Sequence, residues 1–355
     1  MRIAMVTTWY PSVEDGVEGV FVQRHVEALR RHHDVHVLHL AAGPGTPAGP
    51  GQHRLVLDRR DPRSLRRGLA AVLDAAAGAD VLHTSAFSTA LLTAPLAPAL
   101  RRRRTPWVHT EHWSGVSDPS SGGPLWERLA RLRSVLALPA AVTAVSGYLA
   151  GAVAPFRRGR GCDVVPNVVP APDAPPPART GEGLRLFAVG NLRPVKDPVL
   201  AVEVLAELVA RGEDATLRWV GSGPLREQVL ARAAALRVDE RLDLLGRLAP
   251  PAFAGEWAAA DVFLLPSRYE TFCVAGAEAA VHGRPAVLGA RGGMRDFAGP
   301  GVHLVADRSP AAFADAVQRA RAEQLPPEAV AAPVRARFSA GAVADAFDEV
   351  YRRLR

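Results

Sequence analysis

Two glutamates and one pair of cations are the residues of this sequence best placed to do chemistry. Glu270 lies in a loop after the apolar run VFLL, and Glu278 stands eight positions later, within the next predicted helix. Arg193 and Lys196 stand three apart in GNLRPVKD, between another apolar run and another predicted helix. Two cations at the start of a helix suit a diphosphate group, because the helix amides and both charges attract phosphate oxygens.

Lys196 is unusual because it is the only lysine of the chain. The other 42 of the 43 basic residues are arginine, which indicates a coding sequence that avoids lysine codons. An ammonium group is a compact point charge, whereas a guanidinium is a planar fork. A lysine that persists in such a sequence therefore predicts a role that arginine does not perform.

Backbone amides are predicted to complete the phosphate site. Residues 271–274 open the helix of the second glutamate, so their amides can hold an anion at its start. Glycines follow two of the predicted strands, at Gly221 and Gly223 and again at Gly292 and Gly293. A glycine in such a loop permits a ligand to approach the backbone closely.

Polar residues and a glycine also follow three predicted strands of the first half. Gly19 lies in a glycine-containing loop before a helix, HTEHWSG carries His109, Glu111 and His112, and AVSGYL carries Ser146. A His-Glu-His cluster is one way to hold zinc. No other ligand cluster stands in the sequence, so a histidine that hydrogen-bonds a substrate hydroxyl fits better, and no metal is expected.

The elements that must position these residues alternate between strand and helix in both halves. Strands are predicted at 2–8, 34–40, 55–57, 81–84, 107–110 and 141–145, and then at 184–189, 216–220, 242–245, 262–265 and 286–288. This rhythm predicts an α/β fold of two doubly wound, Rossmann-like domains that face an interdomain cleft.

The domain boundaries follow from the break in this rhythm. Residues 169–183 are rich in proline and glycine and are predicted to be a linker. The N-terminal domain is predicted at 1–168 and the C-terminal domain at 184–337. A last helix at about 338–355 is predicted to pack back on the first domain.

Composition excludes several classes of protein. The chain has 355 residues, 48% hydrophobic and 22% charged, as in ordinary globular domains. Two cysteines argue against a disulfide scaffold or a structural zinc site, and the first residues lack a signal-peptide pattern, so a cytoplasmic protein is expected. The stretches 81–100 and 134–156 lack charged residues and are long enough to cross a bilayer, but their internal Pro, Gly, Ser and Thr favour a buried strand joined to a helix.

The net charge of +7 lies entirely in the first half. Residues 1–170 carry 20 basic and 13 acidic groups, whereas residues 171–355 carry 23 of each. The alternatives for this excess are nucleic acid, an anionic membrane surface and a solvated arginine surface. No recognition motif supports nucleic acid. Residues 122–138 would add a basic amphipathic helix at a membrane, or would pack on their own domain.

Taken in order, these motifs resemble the family-four glycosyltransferases of the two-domain GT-B fold. TEHWSG, VVPNVV, GNLRPVKD, GSGP, LLGRL and ETFCVAGAEAAVHGRP follow one another as in that family, and the stretch from Gly190 to Gly293 is the specific part. The resemblance implies transfer of a sugar from a nucleotide-diphosphate donor, with retention of anomeric configuration and without a metal or other cofactor. The absence of any Asp-x-Asp segment agrees with this.

The resemblance also implies roles for individual residues. Arg193 and Lys196 would hold the donor diphosphate and neutralise the leaving group. Glu270 would face the donor sugar, Glu278 would bind the ribose hydroxyls, and His112 would lie near the sugar and acceptor. Further donor contacts are expected at Gly19, Gly246, Arg247, Thr271, Phe272, Cys273 and Val274, and residues near the acceptor or sugar at His109, Glu111 and Ser146.

Two positions depart from the family pattern, and two other functions stay open. Cys273 stands where the family usually has glycine, and Asp296 stands where glutamate is more usual. The expected acceptor is lipid-linked or otherwise anionic, at the inner face of the plasma membrane. The alternatives are another GT-B enzyme, such as a sugar-nucleotide epimerase, and a non-catalytic nucleotide-sugar-binding protein.

We predict that Lys196→Arg keeps the charge and the fold but loses most of the activity, about 10²-fold in kcat. The planar guanidinium would not place its charge where the compact ammonium does. The measurement is the rate of sugar transfer or donor hydrolysis, with a thermal melt as the control for folding. Turnover near that of the wild type would show that the lone lysine is an accident of codon usage.

Overall fold

The chain folds into two compact units, seen in a computed structural model that describes residues 1–14, 16, 18–47, 49–248 and 250–354. Met1–Val168 and Ala340–Arg355 form the first unit, and Val169–Ser339 form the second. Each unit contains one parallel sheet with helices in the connections between its strands. The chain therefore leaves the first unit once and returns to it with its last helix.

A seven-stranded parallel sheet organises the first unit, in the order β3-β2-β1-β4-β5-β6-β7. Its strands are β1 (Arg2–Thr7), β2 (Asp34–Ala41), β3 (Gln52–Val56), β4 (Val81–Ser85), β5 (Trp107–Glu111), β6 (Ala141–Ala144) and β7 (Asp163–Val164). Its helices are α1 (Val20–Leu29), α2 (Pro62–Ala77), α3 (Phe87–Thr93), α4 (Ala97–Arg103), α5 (Ser114–Ser117), α6 (Pro124–Leu129), α7 (Gly147–Val153) and, at the end of the chain, α14 (Ala340–Arg352).

A six-stranded parallel sheet organises the second unit, in the order β10-β9-β8-β11-β12-β13. Its strands are β8 (Leu184–Val189), β9 (Ala215–Val220), β10 (Leu242–Gly246), β11 (Val262–Leu265), β12 (Ala286–Gly289) and β13 (Val302–Val305). Its helices are α8 (Pro198–Ala210), α9 (Arg226–Ala235), α10 (Pro250–Ala259), α11 (Val274–Val281), α12 (Pro310–Ala322) and α13 (Pro327–Phe338). Both sheets reverse their order beside their first strand, where the loops after two neighbouring strands diverge and leave a crevice.

The predicted fold class of two doubly wound α/β units is confirmed, and most strand bounds agree within one or two residues. The exception is β3, which begins three residues before the predicted run. The prediction missed β7, β13, α10 and α13. β7 is only two residues long, and α13 contains Pro333, a residue that normally argues against a helix interior.

Residues 169–183, predicted as a linker, are bonded to the second unit. The Arg284 guanidinium donates to the carbonyl oxygens of Pro176 and Pro177 at 3.1 and 2.6 Å. Arg179 pairs with Asp261 at 2.8 Å. Proline carbonyls in a segment without strand partners are available acceptors, so arginines of the folded unit can bind them.

The two charge-free stretches fold as strands joined to helices. Residues 81–100 form β4, α3 and the first residues of α4, and residues 134–156 include β6 and α7. In the part of the chain that the structure describes, no helix is both long and apolar enough to span a bilayer.

Residues 122–138 do not form one amphipathic helix. The α-helix α6 ends at Leu129, and a 3-10 helix continues over Ala130–Ala137. The Trp126 ring packs 4.9 Å from Phe87 and 4.8 Å from Trp113, and its indole N–H donates to a backbone carbonyl at 2.7 Å. The segment therefore packs on its own unit, which argues against the membrane-binding alternative.

The last helix, α14, is fastened to the first unit by apolar packing and one buried polar bond. Phe347 and its helix neighbours pack in one core cluster with α1 residues such as Val26. The Tyr351 hydroxyl lies 2.6 Å from Nδ1 of His83, and Nε2 of that ring lies 2.7 Å from Oγ1 of Thr110. All three polar side chains are buried, so the His83 ring depends on Tyr351 and Thr110 for its hydrogen bonds.

We predict that Tyr351→Phe lowers the free energy of unfolding by about 1–3 kcal/mol. The change removes only the hydroxyl and leaves a buried nitrogen of His83 without a partner. Urea unfolding measures the loss, and Tyr148→Phe is the matched control, because the Tyr148 hydroxyl bonds to no other described residue. Equal stability of the two variants would contradict the importance of the Tyr351–His83 bond.

Four histidines of the first unit are held in their neutral form. Burial lowers the pKa of His25 to about 4, although a bond to the Pro166 carbonyl at 2.9 Å partly opposes this. Burial and then the charge of Arg54 lower the pKa of His39 to about 4. Burial also lowers the pKa values of His83 and His112 well below the usual range.

We predict that the first unit loses stability as the pH falls from about 6.5 to about 4. In that window the unfolded chain binds more protons than the folded one, so each such histidine lowers the free energy of unfolding by up to about 1.4 kcal/mol per pH unit. Urea unfolding between pH 7.5 and pH 5 measures the slope. His39→Gln should reduce it by one histidine's share, and an unchanged slope would contradict the assignment.

Candidate functional site

The candidate site of the second unit lies where its sheet reverses order. β8 and β11 are adjacent, with Phe187 opposite Phe263, and the loop after each strand carries one of the predicted catalytic groups. Nζ of Lys196 lies 2.5 Å from Oε1 of Glu270. Two loops that the sequence separates by more than seventy residues are thus joined by one ion pair at the carboxyl edge of the sheet.

The lysine is held in a narrow place that glycine creates. A Cβ atom at Gly190 would lie 3.4 Å from Cγ and Cδ of Lys196, so the lysine stem passes directly over this glycine. The indole N–H of Trp219 donates to the Gly190 carbonyl at 2.7 Å and fixes the turn. A Cβ atom at Gly221 would lie 2.0 Å from the same carbonyl oxygen. Gly221 of WVGSGPL therefore lets the loop after β8 pack closely against it. The sequence predicted instead that a ligand would approach the backbone there.

Lys196 remains charged although it is largely buried. Burial alone would lower the pKa of its ammonium, but the charge and the hydrogen bond of Glu270 outweigh burial, and the pKa is raised above its usual value. Only 22% of the lysine side chain and 12% of the glutamate side chain are exposed. Ser267 donates a further bond of 2.7 Å to the same carboxylate oxygen.

Glu270 is fixed through its backbone as well. Its N–H donates to the Arg291 carbonyl at 3.2 Å, and its own carbonyl accepts from Gly293 at 3.0 Å. A Cβ atom at Gly292 would lie 2.1 Å from the Glu270 carbonyl oxygen. Gly292 is therefore required for the position of Glu270, whereas the sequence predicted only that this loop permits a close approach of ligand.

The first helical turn after Glu270 begins at a strained residue. Cys273 has φ 74°, in the left-handed region that favours glycine. Its sulfur would be 3.0 Å from a Cβ atom at Gly276, so the absence of a side chain there makes room for the thiol. Burial raises the pKa of this thiol to about 12, and it stays protonated. Phe272 is buried against Phe338 at 5.2 Å, so only its backbone is available to a donor.

The first amides of α11 lack carbonyl partners within the helix, as at every helix start. Val274 is its first residue, Thr271 is half-buried, and Glu278 is half-buried on the second turn. The helix start, Lys196 and Glu270 thus share one edge of the sheet.

A cation clamp that sequence reasoning missed supports the lysine loop. Asp197 has φ 50°, and its carboxylate lies 2.7 Å from Arg308 and 3.0 Å from Arg268. Arg308 also donates to the Pro266 carbonyl at 2.8 Å. The clamp ties the loop after β8 to the loops after β11 and β13. Asp197 belongs to the GNLRPVKD motif, but no pattern in the sequence distinguishes Arg308.

The remaining predicted donor contacts of this unit are exposed or structural. Arg193 is exposed, and its side chain makes no bond to another residue that the structure describes. Arg247 is also exposed. Gly246 has φ 68°, and its carbonyl accepts from the Gly221 N–H at 2.7 Å, which orients the end of β10.

In the first unit, His112 is a buried ring with few polar partners. It is 7% exposed, and neither ring nitrogen forms a hydrogen bond of good geometry with a described residue. The nearby Asn167 side chain interacts with the ring and partly opposes the lowering of its pKa by burial. The ring packs 4.7 Å from Phe21 and 5.5 Å from His25. Buried polar atoms are usually hydrogen-bonded, so this ring has bonding capacity that a hydroxyl group or a water could use.

The other predicted residues of the first unit have internal partners. His109 is fully buried 3.0 Å from Thr84 and 3.3 Å from Glu111, whose other oxygen accepts the amides of His112 and Trp113 at 2.9 and 2.8 Å. These contacts give both residues a structural role, and their position near an acceptor stays a prediction.

Two further predicted residues are helix caps. The Ser146 side chain accepts from the Leu149 amide at 3.2 Å at the start of α7. Gly19 caps α1 with φ 72°, and a Cβ atom there would lie 2.4 Å from the Trp9 backbone. The loop after β1 therefore requires glycine at this position, whatever it binds.

Two family models match the chain, one in each half. "Glycosyltransferase Family 4" matches residues 16–171, and "Glycosyl transferases group 1" matches residues 183–323. A D-inositol 3-phosphate glycosyltransferase of Kineococcus radiotolerans is 34% identical over 54% of this chain and 51% of its own. A GDP-mannose-dependent alpha-(1-6)-phosphatidylinositol dimannoside mannosyltransferase of Mycobacterium tuberculosis is 34% identical over 38% of this chain and 34% of its own. The chain spans between a quarter and about half the length of the curated relatives it matches.

Solved structures share the fold along the whole chain. A sucrose-phosphate synthase of Thermosynechococcus elongatus has a TM-score of 0.79 at 20% identity, covering 100% of this chain and 99% of its own. The HepE protein of Anabaena in complex with UDP has a TM-score of 0.73 at 16% identity, covering 99% and 100%. The two units are those of the GT-B fold, and each half of the chain matches a glycosyltransferase family model, the first half that of family 4.

Proposed function

We propose that this protein is a retaining glycosyltransferase that moves a sugar from a nucleotide-diphosphate donor to an acceptor. The observation that carries the proposal is the 2.5 Å contact between Lys196 and Glu270 at the point where the second sheet reverses order. Open α/β sheets bind their ligands at this point. The named activities of the relatives and the two family models support the same conclusion.

The chemistry requires fixed positive charge beside the leaving group. Breaking the anomeric C–O bond leaves negative charge on the diphosphate, so a cation fixed beforehand stabilises the transition state more than the ground state. Lys196 meets this requirement because it stays protonated when buried. The α11 amides add fixed dipoles, and Arg193 is free to pair with the donor. Glu270 holds the lysine in the resting enzyme and would face the sugar in the complex.

We infer that the acceptor is a hydroxylated compound that carries a phosphate. Several relatives act, by name, on inositol 3-phosphate or on a phosphatidylinositol dimannoside. The excess positive charge of the first half favours an anionic acceptor, and the unsatisfied ring of His112 would take a hydroxyl of the sugar or acceptor. The site of action would be the cytoplasm, at the inner face of the membrane if the acceptor is a lipid.

The test is a panel of nucleotide-diphosphate sugars. A true donor at about 100 times its Kd should add about 2.7 kcal/mol to the stability of the folded protein. Slow donor hydrolysis, and transfer to inositol phosphates with the anomeric configuration kept, would complete the case. Failure of every nucleotide sugar to stabilise the protein would overturn the proposal. Stabilisation without turnover would indicate a non-catalytic binding protein. Conversion of one nucleotide sugar into another in the absence of an acceptor would indicate an epimerase.

We predict that Arg193→Gln lowers kcat/KM for sugar transfer by about 10²–10³-fold without changing the unfolding temperature. The side chain is exposed and makes no internal contact, so its loss affects only the donor. Arg319→Gln is the matched control, because Arg319 is an exposed arginine in the last turn of α12 in the same unit. Equal rates for the two variants would remove Arg193 from the proposed donor site.

A further inference from the structure

A cavity lies at the opposite edge of the first sheet from His112. Its volume is about 320 Å³, and it lies where β5 and β6 begin, beside the end of α4. Trp107 is the first residue of β5 and lines this cavity, whereas His112 directly follows the last residue of that strand. The cavity is therefore separate from the edge at which the sheet would bind a substrate.

Among the residues that the structure describes, three arginines and no acidic residue line this cavity. Arg101 and Arg104 come from the four-arginine run at the end of α4, and Arg160 comes from the segment before β7. Arg160 donates to the carbonyl oxygens of Pro139, at 3.1 Å, and Ala137. The side chains of Arg101 and Arg104 bond to no residue that the structure describes, so their donors are available to a ligand.

A buried arginine adds positive charge close to this cavity. Arg157 is 1% exposed, and its guanidinium donates to the carbonyl oxygens of Leu136 at 2.6 Å and Pro139 at 3.1 Å. Burial, and then the charge of Arg160, lower the pKa of this group to about 10. It remains protonated at neutral pH. Arg157 and Arg160 donate to neutral carbonyl oxygens and not to carboxylates. Their positive charge is therefore not neutralised and can attract an anion.

The rest of the lining is largely apolar. Leu100, Trp107, Leu138 and Leu354 surround the arginines. A small hydrated anion would bury none of this apolar surface. A phosphate that carries a carbon chain or ring would bury it, and this burial would stabilise the complex. Guanidinium forks suit phosphate oxygens because they bind two at once.

We propose that this cavity binds the phosphate of an amphiphile. Arg101 and Arg104 would hold the phosphate oxygens, and Trp107 and Leu354 would contact the first carbons. The ligand is defined by this chemistry, whether it comes from a membrane lipid or from a soluble organic phosphate. The inference is independent of the proposed glycosyl transfer, because it concerns the other edge of the sheet.

The test is calorimetric titration of the full chain with monomeric dihexanoyl phosphatidic acid. Arg101→Gln combined with Arg104→Gln should weaken binding by about tenfold or more. The control is Arg102→Gln combined with Arg103→Gln, which removes the same charge from the same run outside the cavity and should change binding less than about twofold. Equal weakening by both pairs would mean general charge attraction and would overturn the site.

Two further experiments test the cavity lining and whether the ligand comes from a membrane or from solution. Ala140→Glu places a carboxylate in the cavity lining and should abolish binding, with thermal melts to confirm folding; unchanged binding would contradict the proposal. Inorganic phosphate that binds as tightly as the amphiphile would also contradict it. Phosphatidylcholine vesicles with and without phosphatidic acid identify the source. The same arginine dependence on vesicles supports a membrane lipid, and binding of the monomer alone supports a soluble ligand.

Discussion

The ion pair of Lys196 and Glu270 is the contact on which the organisation of the second unit's site depends. Each partner would be costly to bury alone, because an unpaired charge loses its hydration without compensation. Together they join the loops after β8 and β11, and the surrounding backbone is arranged around them: Gly190 admits the lysine stem, and Gly292 admits the carbonyl of the glutamate. In the proposed donor site, the charge that a phosphate would need is thus kept in position by a carboxylate until the ligand arrives.

Both units have a parallel sheet that reverses order beside its first strand, but the side chains at that edge differ in charge. In the second unit the edge carries permanent charge, with a lysine, a carboxylate and helix amides. In the first unit the corresponding edge carries neutral, buried histidines, whose pKa values burial holds low. Neutral imidazole can accept or donate a hydrogen bond without attracting an ion of its own, which suits recognition of hydroxyl groups.

Much of this could be predicted from the sequence because the strands are short apolar runs followed by glycine or polar residues, and parallel sheets collect those residues at one edge. That argument brought Lys196 and Glu270 together correctly. It does not reveal a contact whose partner is remote or whose reason is packing. Arg308 has no motif, Ser146 caps a helix, and the GSGP glycines admit another loop. The helix considered over 122–138 is a short α-helix followed by a 3-10 helix, and Trp126 packs on other aromatic residues, which no charge pattern reveals.

The lone lysine also determines the reactivity of the protein towards reagents that modify amines. Apart from the amino terminus of the chain, every primary amine of the sequence is in Lys196. Acylation needs an amine with a free electron pair, and this one is protonated, mostly covered and bonded to Glu270. The surface is therefore almost inert to acylation, glycation and isopeptide conjugation. Reaction at Lys196 would become measurable only when the Glu270 carboxylate releases the ammonium. The rate of acylation at Nζ would therefore report whether the ion pair with Glu270 is intact.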